Sequence, residues 1–525
     1  MMLTLTSVLQ RTLLLYAKRI AIRDAGGDLS WAGYIDGIAR AAGMLASLGV
    51  RAGDRYGILC RNCVRYAELI HAGYWLGAVP VPLNYRLAPA EVALILEDAG
   101  CRLLALEDAY ARLLEQPPLN SWRGRALCIG SGAAEMALPR YDEQKAAAVA
   151  LDPHVAAEDD DAIMLYTGGT TGRGKGVRIT HRNIVANALQ LARAMSVGED
   201  DLYLHVSPMF HSTDLKATAL TMMGGAHAYL PEFSPLAVLS AIARYGITIA
   251  SLVPAMIMRL LQDPELGRHD IRTLRLISYG TSPMAPEWIR RTMQAFPGVG
   301  MHQIYGLTET SPVLALLDEA DHRRALAGEE ELLRAAGRPL PGVDIRILDH
   351  DGRELPTGEC GEIVARGPQI AKGYHNRPRE NAEVFRGGWL HTGDIGRLNA
   401  EGYLFVLDRK KDMVVTGGEN VYTSEVEAAI YQHPGVQEVA VIGVPDERYG
   451  EALVAVIVPV PGQNLSTDEI IGHCRERIGG FKIPRRMEFV RALPKSAMGK
   501  ILKQDLRRSY GGTLLNARES ERSGR

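Results

Sequence analysis

The chain has 525 residues, of which 59 are basic and 61 acidic, giving a formal net charge of −2. This balance provides no basic excess for nucleic acid and no acidic tail typical of disorder, and 47% hydrophobic residues is ordinary for a globular protein. Six cysteines are too few for a disulfide framework. Cys60 and Cys63 form a C-x-x-C pair, for which we expect buried, reduced thiols rather than a zinc or redox site.

The N-terminal part of the chain is predicted to alternate helices and strands. An amphipathic helix opens it, because Leu5, Val8, Leu9 and Leu13 recur at helical spacing. From about residue 30 to 260, helical stretches such as GYIDGIARAAGMLASLG alternate with apolar stretches such as RYGILC, RLLALE and AIMLYT. This alternation indicates parallel sheets covered by helices. With no signal peptide and no run of ~18 apolar residues, we expect a cytoplasmic protein without a transmembrane segment.

The pattern changes after about residue 335. VDIRILD, GEIVARG and GYLFVLD read as short strands separated by Gly, Pro and Asp turns, which indicates an antiparallel or barrel-like unit. Beyond DRKKD, two helical stretches and two apolar strands form an α+β pattern. We therefore predict an N-terminal domain over 1–410 and a C-terminal domain over 411–525, with a frayed tail from about 511.

The stretch TGGTTGRGKG, residues 167–176, has the composition of a phosphate-binding loop. Glycine backbone N–H groups can wrap an anion closely, and Lys175 adds a charge. The stretch nearly matches a P-loop, but Gly176 takes the Ser/Thr position, and strand-like VRIT follows where a P-loop would enter a helix. We predict a flap between two strands that closes over a polyphosphate. One alternative is a P-loop kinase or NTPase, which both of these departures disfavour. The other is a flexible surface loop that binds no ligand.

Four later motifs carry groups suited to a nucleotide: IYGLTET, HTGDIG, DRKKD and PKSAMGK. Tyr305 could stack on a base, Thr308 could contact a phosphate and Glu309 could hold Mg²⁺. Asp394 could accept from ribose hydroxyls, and Lys500 follows a run of small residues. Each of these alone fits a turn former or a solvated charge.

Together the motifs resemble those of the adenylate-forming superfamily, which includes acyl-CoA synthetases, firefly-type luciferases and adenylation domains of peptide synthetases. The resemblance covers nearly the whole chain in the family's order, through YTGGTTGRGKGV, PMFH, ISYGTSPM, IYGLTET, GWLHTGDIG, GYLFVLDRKKDMVVTGGENVYTSEVE and PKSAMGK. It implies an α/β fold: a large N-terminal domain of two αβα sandwich subdomains plus a distorted β-barrel, and a small mobile α+β C-terminal domain hinged at Lys411. Gly168 and Gly174 depart from the family's Ser and Pro, and the glycine in place of proline should make the flap more flexible.

The resemblance also implies a reaction in two steps. A carboxylate attacks the α-phosphorus of MgATP to give acyl-AMP and pyrophosphate, and the thiol of coenzyme A then displaces AMP. The rival interpretations are an enzyme that loads a carrier protein or stops at acyl-AMP, and a non-catalytic nucleotide-binding relative. Intact Gly417-Gly418 favours coenzyme A, and the stretch after Lys500 is too short for a carrier domain. No nucleic-acid partner is expected, and a homodimer is left open.

Site residues are carried over from the family motifs. Lys500 would bridge the carboxylate and the α-phosphate, Glu309 with Thr170 would hold Mg²⁺, and His211 would gate the passage between acid and thiol. ATP and AMP would contact Thr167, Gly168, Gly169, Thr171, Gly172, Lys175, Gly280, Thr281, Ser282, Gln303, Tyr305, Gly306, Thr308, Asp394 and Arg409. Coenzyme A would contact Gly418, Phe481 and Lys482.

The acid itself is expected to be a hydrophobic monocarboxylate, medium-chain fatty or aromatic. The stretches that match the acid pocket carry small residues, Thr281, Ser282 and Ser311, and none of the five tryptophans lies in them. Asp214 and Lys216 are expected to be solvated or locally paired rather than to line the pocket.

Overall fold

A computed structural model describes residues 3–130, 137–167, 174–282, 284–416, 419–446, 449–495 and 501–511. The chain divides into two compact units: the first is 1–345 with 365–391, and the second is 346–364 with 392–525. The predicted hinge at Lys411 falls within the second unit and stays a prediction.

The helices of the first unit are α1 (Leu5–Tyr16), α2 (Trp31–Ser47), α3 (Val64–Leu76), α4 (Pro89–Asp98), α5 (Tyr141–Ala147), α6 (His181–Ala194), α7 (Thr218–Met223), α8 (Pro235–Tyr245), α9 (Pro254–Leu261), α10 (Pro286–Ala295), α11 (Glu319–Leu326) and α12 (Pro378–Val384). Those of the second unit are α13 (Thr423–Tyr431), α14 (Thr467–Arg475) and α15 (Lys503–Gly511). The first helix is the amphipathic one that the sequence predicts: Thr4 caps its N-terminus, and Leu5, Val8 and Leu9 are buried.

The strands are β1 (Ile20–Asp24), β2 (Gly27–Ser30), β3 (Arg55–Leu59), β4 (Val79–Pro82), β5 (Cys101–Glu107), β6 (Ala126–Ile129), β7 (Asp161–Thr167), β8 (Lys175–Thr180), β9 (Leu202–His205), β10 (Ala226–Tyr229), β11 (Ile249–Leu252), β12 (Leu276–Gly280), β13 (Gly300–Tyr305), β14 (Ala315–Leu317), β15 (Arg338–Pro339), β16 (Asp344–Leu348), β17 (Gly361–Arg366), β18 (Gly373–Tyr374), β19 (Phe385–Arg386), β20 (Trp389–Leu398), β21 (Leu404–Arg409), β22 (Val414–Thr416), β23 (Glu419–Val421), β24 (Val436–Asp446), β25 (Gly450–Pro459) and β26 (Arg486–Phe489).

Parallel sheets dominate the first unit, as the alternation of helices and strands predicts. One sheet has the strand order β15-β14-β13-β12-β11-β9-β10-β1-β2, in which the run from β13 to β1 is parallel. A second sheet, β4-β3-β5-β6, is parallel throughout. Helices α2 and α3 pack together in the core, where Trp31, Tyr34 and Tyr66 are fully buried. This arrangement brings the carboxyl ends of β11, β12 and β13 to one edge, where ligands bind in parallel α/β sheets.

The later strands are mostly antiparallel. A five-stranded sheet contains β16-β17-β20-β19, with β21 paired to β20. The second unit has the sheet β23-β22-β25-β24, with β26 beside β25. Alternate residues of β24 face opposite sides: Val441 packs with α13 and α14, and Ile442 packs with Leu506 of α15. The α+β pattern predicted beyond DRKKD corresponds to α13–α15 and β22–β26, and the domain boundary at residue 411 stays a prediction. Among the residues described, no helix is both long and apolar enough to cross a membrane.

Candidate active site

The predicted phosphate loop connects two antiparallel strands. Thr167, the last residue of β7, pairs with Lys175, the first residue of β8. Helix α6 starts only after β8, capped by Thr180. A Cβ on Gly176 would lie 2.9 Å from Met164 Sδ, so a P-loop Ser or Thr could not be accommodated without a shift. The hairpin therefore confirms the interpretation as a loop between strands. The predicted residues Gly168, Gly169, Thr170, Thr171 and Gly172 lie outside the described residues.

Tyr374 joins the predicted phosphate-binding lysine to the predicted magnesium ligand. Its Oη donates a hydrogen bond to Glu309 Oε1 at 2.6 Å, and Lys175 Nζ lies 5.1 Å from the centroid of its ring, within the range of a cation–π contact. The pairing of β18 with β8 places Tyr374 opposite Val177. The side chain of Tyr374 thus positions both Lys175 and Glu309, which would face a metal-bound polyphosphate.

Backbone contacts fix this tyrosine. Tyr374 N donates to Asn381 Oδ1 at 2.7 Å, and Asn381 Nδ2 donates to Tyr374 O at 2.9 Å. Ala371 N donates to Glu309 O at 2.8 Å. Tyr374 and Asn381 could not be predicted from the sequence, because Tyr374 lies 65 residues from Glu309 and no local pattern connects them.

A tight turn holds Glu309 in place. It lies in a 3₁₀ helix, Thr308–Thr310, and is buried. A Cβ on Gly306 would lie 2.0 Å from Pro312 O, so only glycine permits this close approach. Thr308 Oγ1 lies 3.3 Å from Ser212 Oγ. The turn therefore fixes the position of the Glu309 carboxylate. One carboxylate together with substrate phosphates is a common way to hold Mg²⁺.

The predicted adenine-binding residues meet at the ends of β12 and β13. Gly280 ends β12 opposite Ile304, one residue before Tyr305 ends β13. Thr281 follows with a φ of 69°, a left-handed conformation that a β-branched residue rarely adopts. Such strain is concentrated at functional sites. Ser282, the third residue of the predicted turn, follows Thr281 directly.

Gln303, near the end of β13, is hydrogen-bonded to a buried tyrosine. Tyr279 Oη donates to Gln303 Oε1 at 3.0 Å and lies 2.8 Å from His322 Nε2, and His322 Nδ1 lies 2.6 Å from the carbonyl oxygen of Asp318. Burial lowers the pKa of His322. These contacts orient the Gln303 side chain, and its contact with the adenine amine stays a prediction.

His211 Nε2 is buried and has no hydrogen-bond partner among the described residues. Burial, aided by the charge of Arg86, lowers the pKa of His211 to about 4, so the ring is neutral near pH 7. Buried polar atoms are nearly always paired in folded proteins. This nitrogen therefore fits a position that a ligand completes, and the role of His211 as the gate between acid and thiol stays a prediction.

Lys216 corrects one expectation from the sequence. It is not solvated: only 2% of its surface is exposed, and Nζ donates to Ser251 Oγ at 2.7 Å and Ser278 Oγ at 3.1 Å. Burial lowers its pKa to about 7, against the opposing charge of Asp214. Asp214 is locally paired, as expected, but with His205 Nδ1 at 2.6 Å. Sequence reasoning missed this burial because the surrounding stretch, STDLKA, is polar.

Lys216 should make stability depend on pH. Above about pH 7 the folded lysine is neutral, whereas the unfolded lysine keeps its proton up to about 10.5. The unfolded state then binds more protons, so stability rises with pH by up to about 1.4 kcal/mol per unit. Urea denaturation at pH 7, 8 and 9 should show this rise in wild type relative to Lys216→Met. Equal dependence of stability on pH in wild type and in Lys216→Met would contradict the prediction. Lys18→Met, at an exposed lysine, is the matched control.

In the second unit, the two predicted ribose-binding residues are adjacent. Asp394 on β20 is the register partner of Arg409 on β21, and Arg409 Nε lies 2.6 Å from Asp394 Oδ1. Thr392 Oγ1 accepts from Asp394 N at 3.1 Å. Asp394 is 3% exposed, so the positive charge of Arg409 also offsets the cost of burying the carboxylate.

The remaining predicted residues of the second unit are mostly at the surface. Lys411 is exposed, and Phe481 is 46% exposed. Lys482 donates to both oxygens of Glu425, at 2.6 and 2.8 Å, so coenzyme A would compete with this carboxylate. Gly418 and Lys500 lie outside the described residues.

The C-x-x-C pair consists of a buried cysteine, Cys60, and a partly buried one, Cys63. Cys60 Sγ and Cys63 Sγ are 3.7 Å apart as free thiols. Over the same ranges, no three His, Cys, Asp or Glu side chains gather in a way that could hold a metal ion.

Comparison with known proteins supports a nucleotide site. The family model for AMP-binding enzymes matches residues 9–375, and the model for the C-terminal domain of AMP-binding enzymes matches 425–500. A feruloyl-CoA synthase from Amycolatopsis is 36% identical, with 94% of this chain and 96% of that protein covered. The fatty acid–[acyl-carrier-protein] ligase ScoC of Streptomyces coeruleorubidus is 36% identical, with 90% of each covered. The crystal structure of ATP-bound MatB from Rhodopseudomonas palustris superposes with a TM-score of 0.85 at 30% identity, covering 96% of this chain and 99% of that one.

Proposed function

Since the chain belongs to the family of AMP-binding, adenylate-forming enzymes, we propose that it activates a hydrophobic carboxylic acid, medium-chain fatty or aromatic, and transfers the acyl group to coenzyme A. Membership confirms the resemblance that the motifs indicated, the mixed α/β fold with a large and a small domain, and the class of AMP-forming acid–thiol ligases that use ATP, Mg²⁺ and coenzyme A.

The observation that carries the proposal is the arrangement of Lys175, Tyr374 and Glu309. Adenylation brings a carboxylate against an anionic α-phosphate, so its main requirement is positive charge rather than a general base. Lys175 supplies one charge for the phosphates. Mg²⁺ held by Glu309 would supply more when bound. Tyr374 keeps the carboxylate oriented for that ion through its 2.6 Å hydrogen bond.

The other roles extend this proposal to residues whose function the resemblance implies. Asp394 and Arg409 would bind the ribose hydroxyls, and Lys500 would contact the α-phosphate during adenylation only. Movement of the C-terminal domain about Lys411 would then withdraw Lys500 and bring Gly418 to the acyl-AMP, where the absence of a side chain leaves room for the pantetheine arm.

We expect octanoate or cinnamate to exceed acetate by at least about 100-fold in kcat/KM. Each buried methylene adds about 0.8 kcal/mol, and part of this is lost in ordering the chain. Pyrophosphate release with acetate, octanoate, palmitate, benzoate and 4-coumarate measures the preference. Similar kcat/KM for acetate and octanoate would show that the pocket is short or open to water.

A second candidate acceptor is a carrier protein, since ScoC, the fatty acid–[acyl-carrier-protein] ligase, is 36% identical to this chain. The two acceptors can be separated by preforming acyl-AMP on the enzyme and adding either coenzyme A or a phosphopantetheinylated carrier protein. We expect thioester formation on coenzyme A. Transfer to the carrier protein alone would reverse the assignment.

A further inference from the structure

The amine of Lys216 is buried at the edge of the sheet where substrates are expected to bind. Ser251 and Ser278 are register partners on β11 and β12, and both hydroxyls accept from Lys216 Nζ. Strand β12 ends two residues later at Gly280, where the predicted nucleotide turn begins. Lys216 therefore lies over the carboxyl ends of two central parallel strands, which is the ligand-binding edge of such a sheet.

A second polar group faces the same way. Lys216 belongs to a 3₁₀ helix, Ser212–Ala217, in which side chains three residues apart lie one above the other. Thr213 is thus on the same face as Lys216. Its Oγ1 is buried without a hydrogen-bond partner among the described residues, and Thr213 as a whole is only 9% exposed.

Among the described residues, no carboxylate is hydrogen-bonded to Lys216. Asp214, two residues away, directs its carboxylate to His205 instead. Within the described residues, Lys216 Nζ donates to two neutral hydroxyls, whereas its protonated form has three donors. Keeping a buried charge without a paired anion is costly, so Lys216 is only partly protonated near pH 7. A substrate oxygen that accepts from Nζ would supply the missing acceptor and favour the charged form.

We propose that Lys216 and Thr213 form the far end of the acid pocket and bind an oxygen atom that the substrate carries remote from its reacting carboxylate. The inference rests on the proposed function and narrows its substrate class to oxygen-bearing acids. The oxygen could belong to a phenolic hydroxyl group or to a second carboxylate, since both accept from an ammonium group. Plain alkyl and aryl acids would still be turned over, with lower kcat/KM.

Two matched pairs of acids test this. Cinnamate against 4-hydroxycinnamate probes the hydroxyl, and octanoate against octanedioate probes the second carboxylate. We expect wild type to favour one oxygen-bearing member by at least about 10-fold in kcat/KM, the size of a lost buried hydrogen bond in a specificity site. Lys216→Met should bring that ratio close to one. Lys18→Met, at an exposed lysine, should keep the wild-type ratio.

Thr213→Val provides an independent test if Lys216→Met does not fold. Because Thr213 Oγ1 has no hydrogen-bond partner among the described residues, its removal costs no hydrogen bond within them, and the ratio should fall without a drop in melting temperature. The inference is overturned if wild type prefers neither oxygen-bearing acid. It is also overturned if both Lys216→Met and Thr213→Val keep the wild-type ratio of kcat/KM values. Absence of pyrophosphate release with all four acids and with the wider panel would instead overturn the proposed function.

Discussion

Replacing Glu309 by glutamine is expected to lower acyl-AMP formation by about 100-fold or more, which corresponds to about 2.7 kcal/mol of transition-state stabilisation. Glutamine has nearly the same shape and its oxygen can still accept from Tyr374 Oη, so the buried turn should keep its fold. What is lost is the negative charge that would hold Mg²⁺ against the phosphates.

Single-turnover formation of acyl-AMP at increasing Mg²⁺ concentration measures this effect. The matched control is Tyr374→Phe, which removes the 2.6 Å hydrogen bond but leaves the carboxylate in place; we expect a loss of about 10-fold or less, the size of one such bond. If the glutamine variant keeps wild-type activity and its Mg²⁺ dependence, Glu309 is not the metal ligand.

Replacing Lys500 by alanine should nearly abolish adenylation and spare the second step. Loss of a donor at the developing charge of the α-phosphate costs about 3 kcal/mol or more, or roughly two orders of magnitude in rate. Thioester formation from supplied acyl-AMP should continue, because the resemblance places this lysine at the active site in one step only.

The two steps can be followed separately by rapid quench. Lys495→Ala is the matched control: Lys495 lies five residues earlier and pairs with Glu438, so its loss should leave both steps near wild type. Equal losses in both steps for Lys500→Ala would refute the division of labour between the half-reactions.

The sequence predicted those features that depend on local patterns. Hydrophobic periodicity located α1 and the parallel strands, and glycine-rich stretches located the loop after β7. Two separate motifs predicted that Asp394 and Arg409 would bind the same ribose, and the antiparallel register of β20 and β21 places the two residues opposite each other.

The features that sequence reasoning missed depend on contacts between distant segments. Tyr374 acts through its position beside Lys175 and Glu309, which only the pairing of β18 with β8 creates. Lys216 sits in a polar stretch and would be solvated on a surface helix. Its burial follows from the way the 3₁₀ helix lies against β11 and β12, and periodicity contains no information about that packing.

The position of Tyr374 between Lys175 and Glu309 has a consequence for the speed of nucleotide capture. Each charged group contacts the tyrosine, and no ion pair joins Lys175 directly to Glu309 in the part of the chain that the structure describes, so nucleotide entry does not begin with the rupture of that pair. A lysine paired with that carboxylate would have to exchange partners for each incoming nucleotide, and the exchange would add a barrier to every catalytic cycle. The ring keeps both charges oriented in the resting enzyme, so little reorganisation is needed when the phosphates arrive.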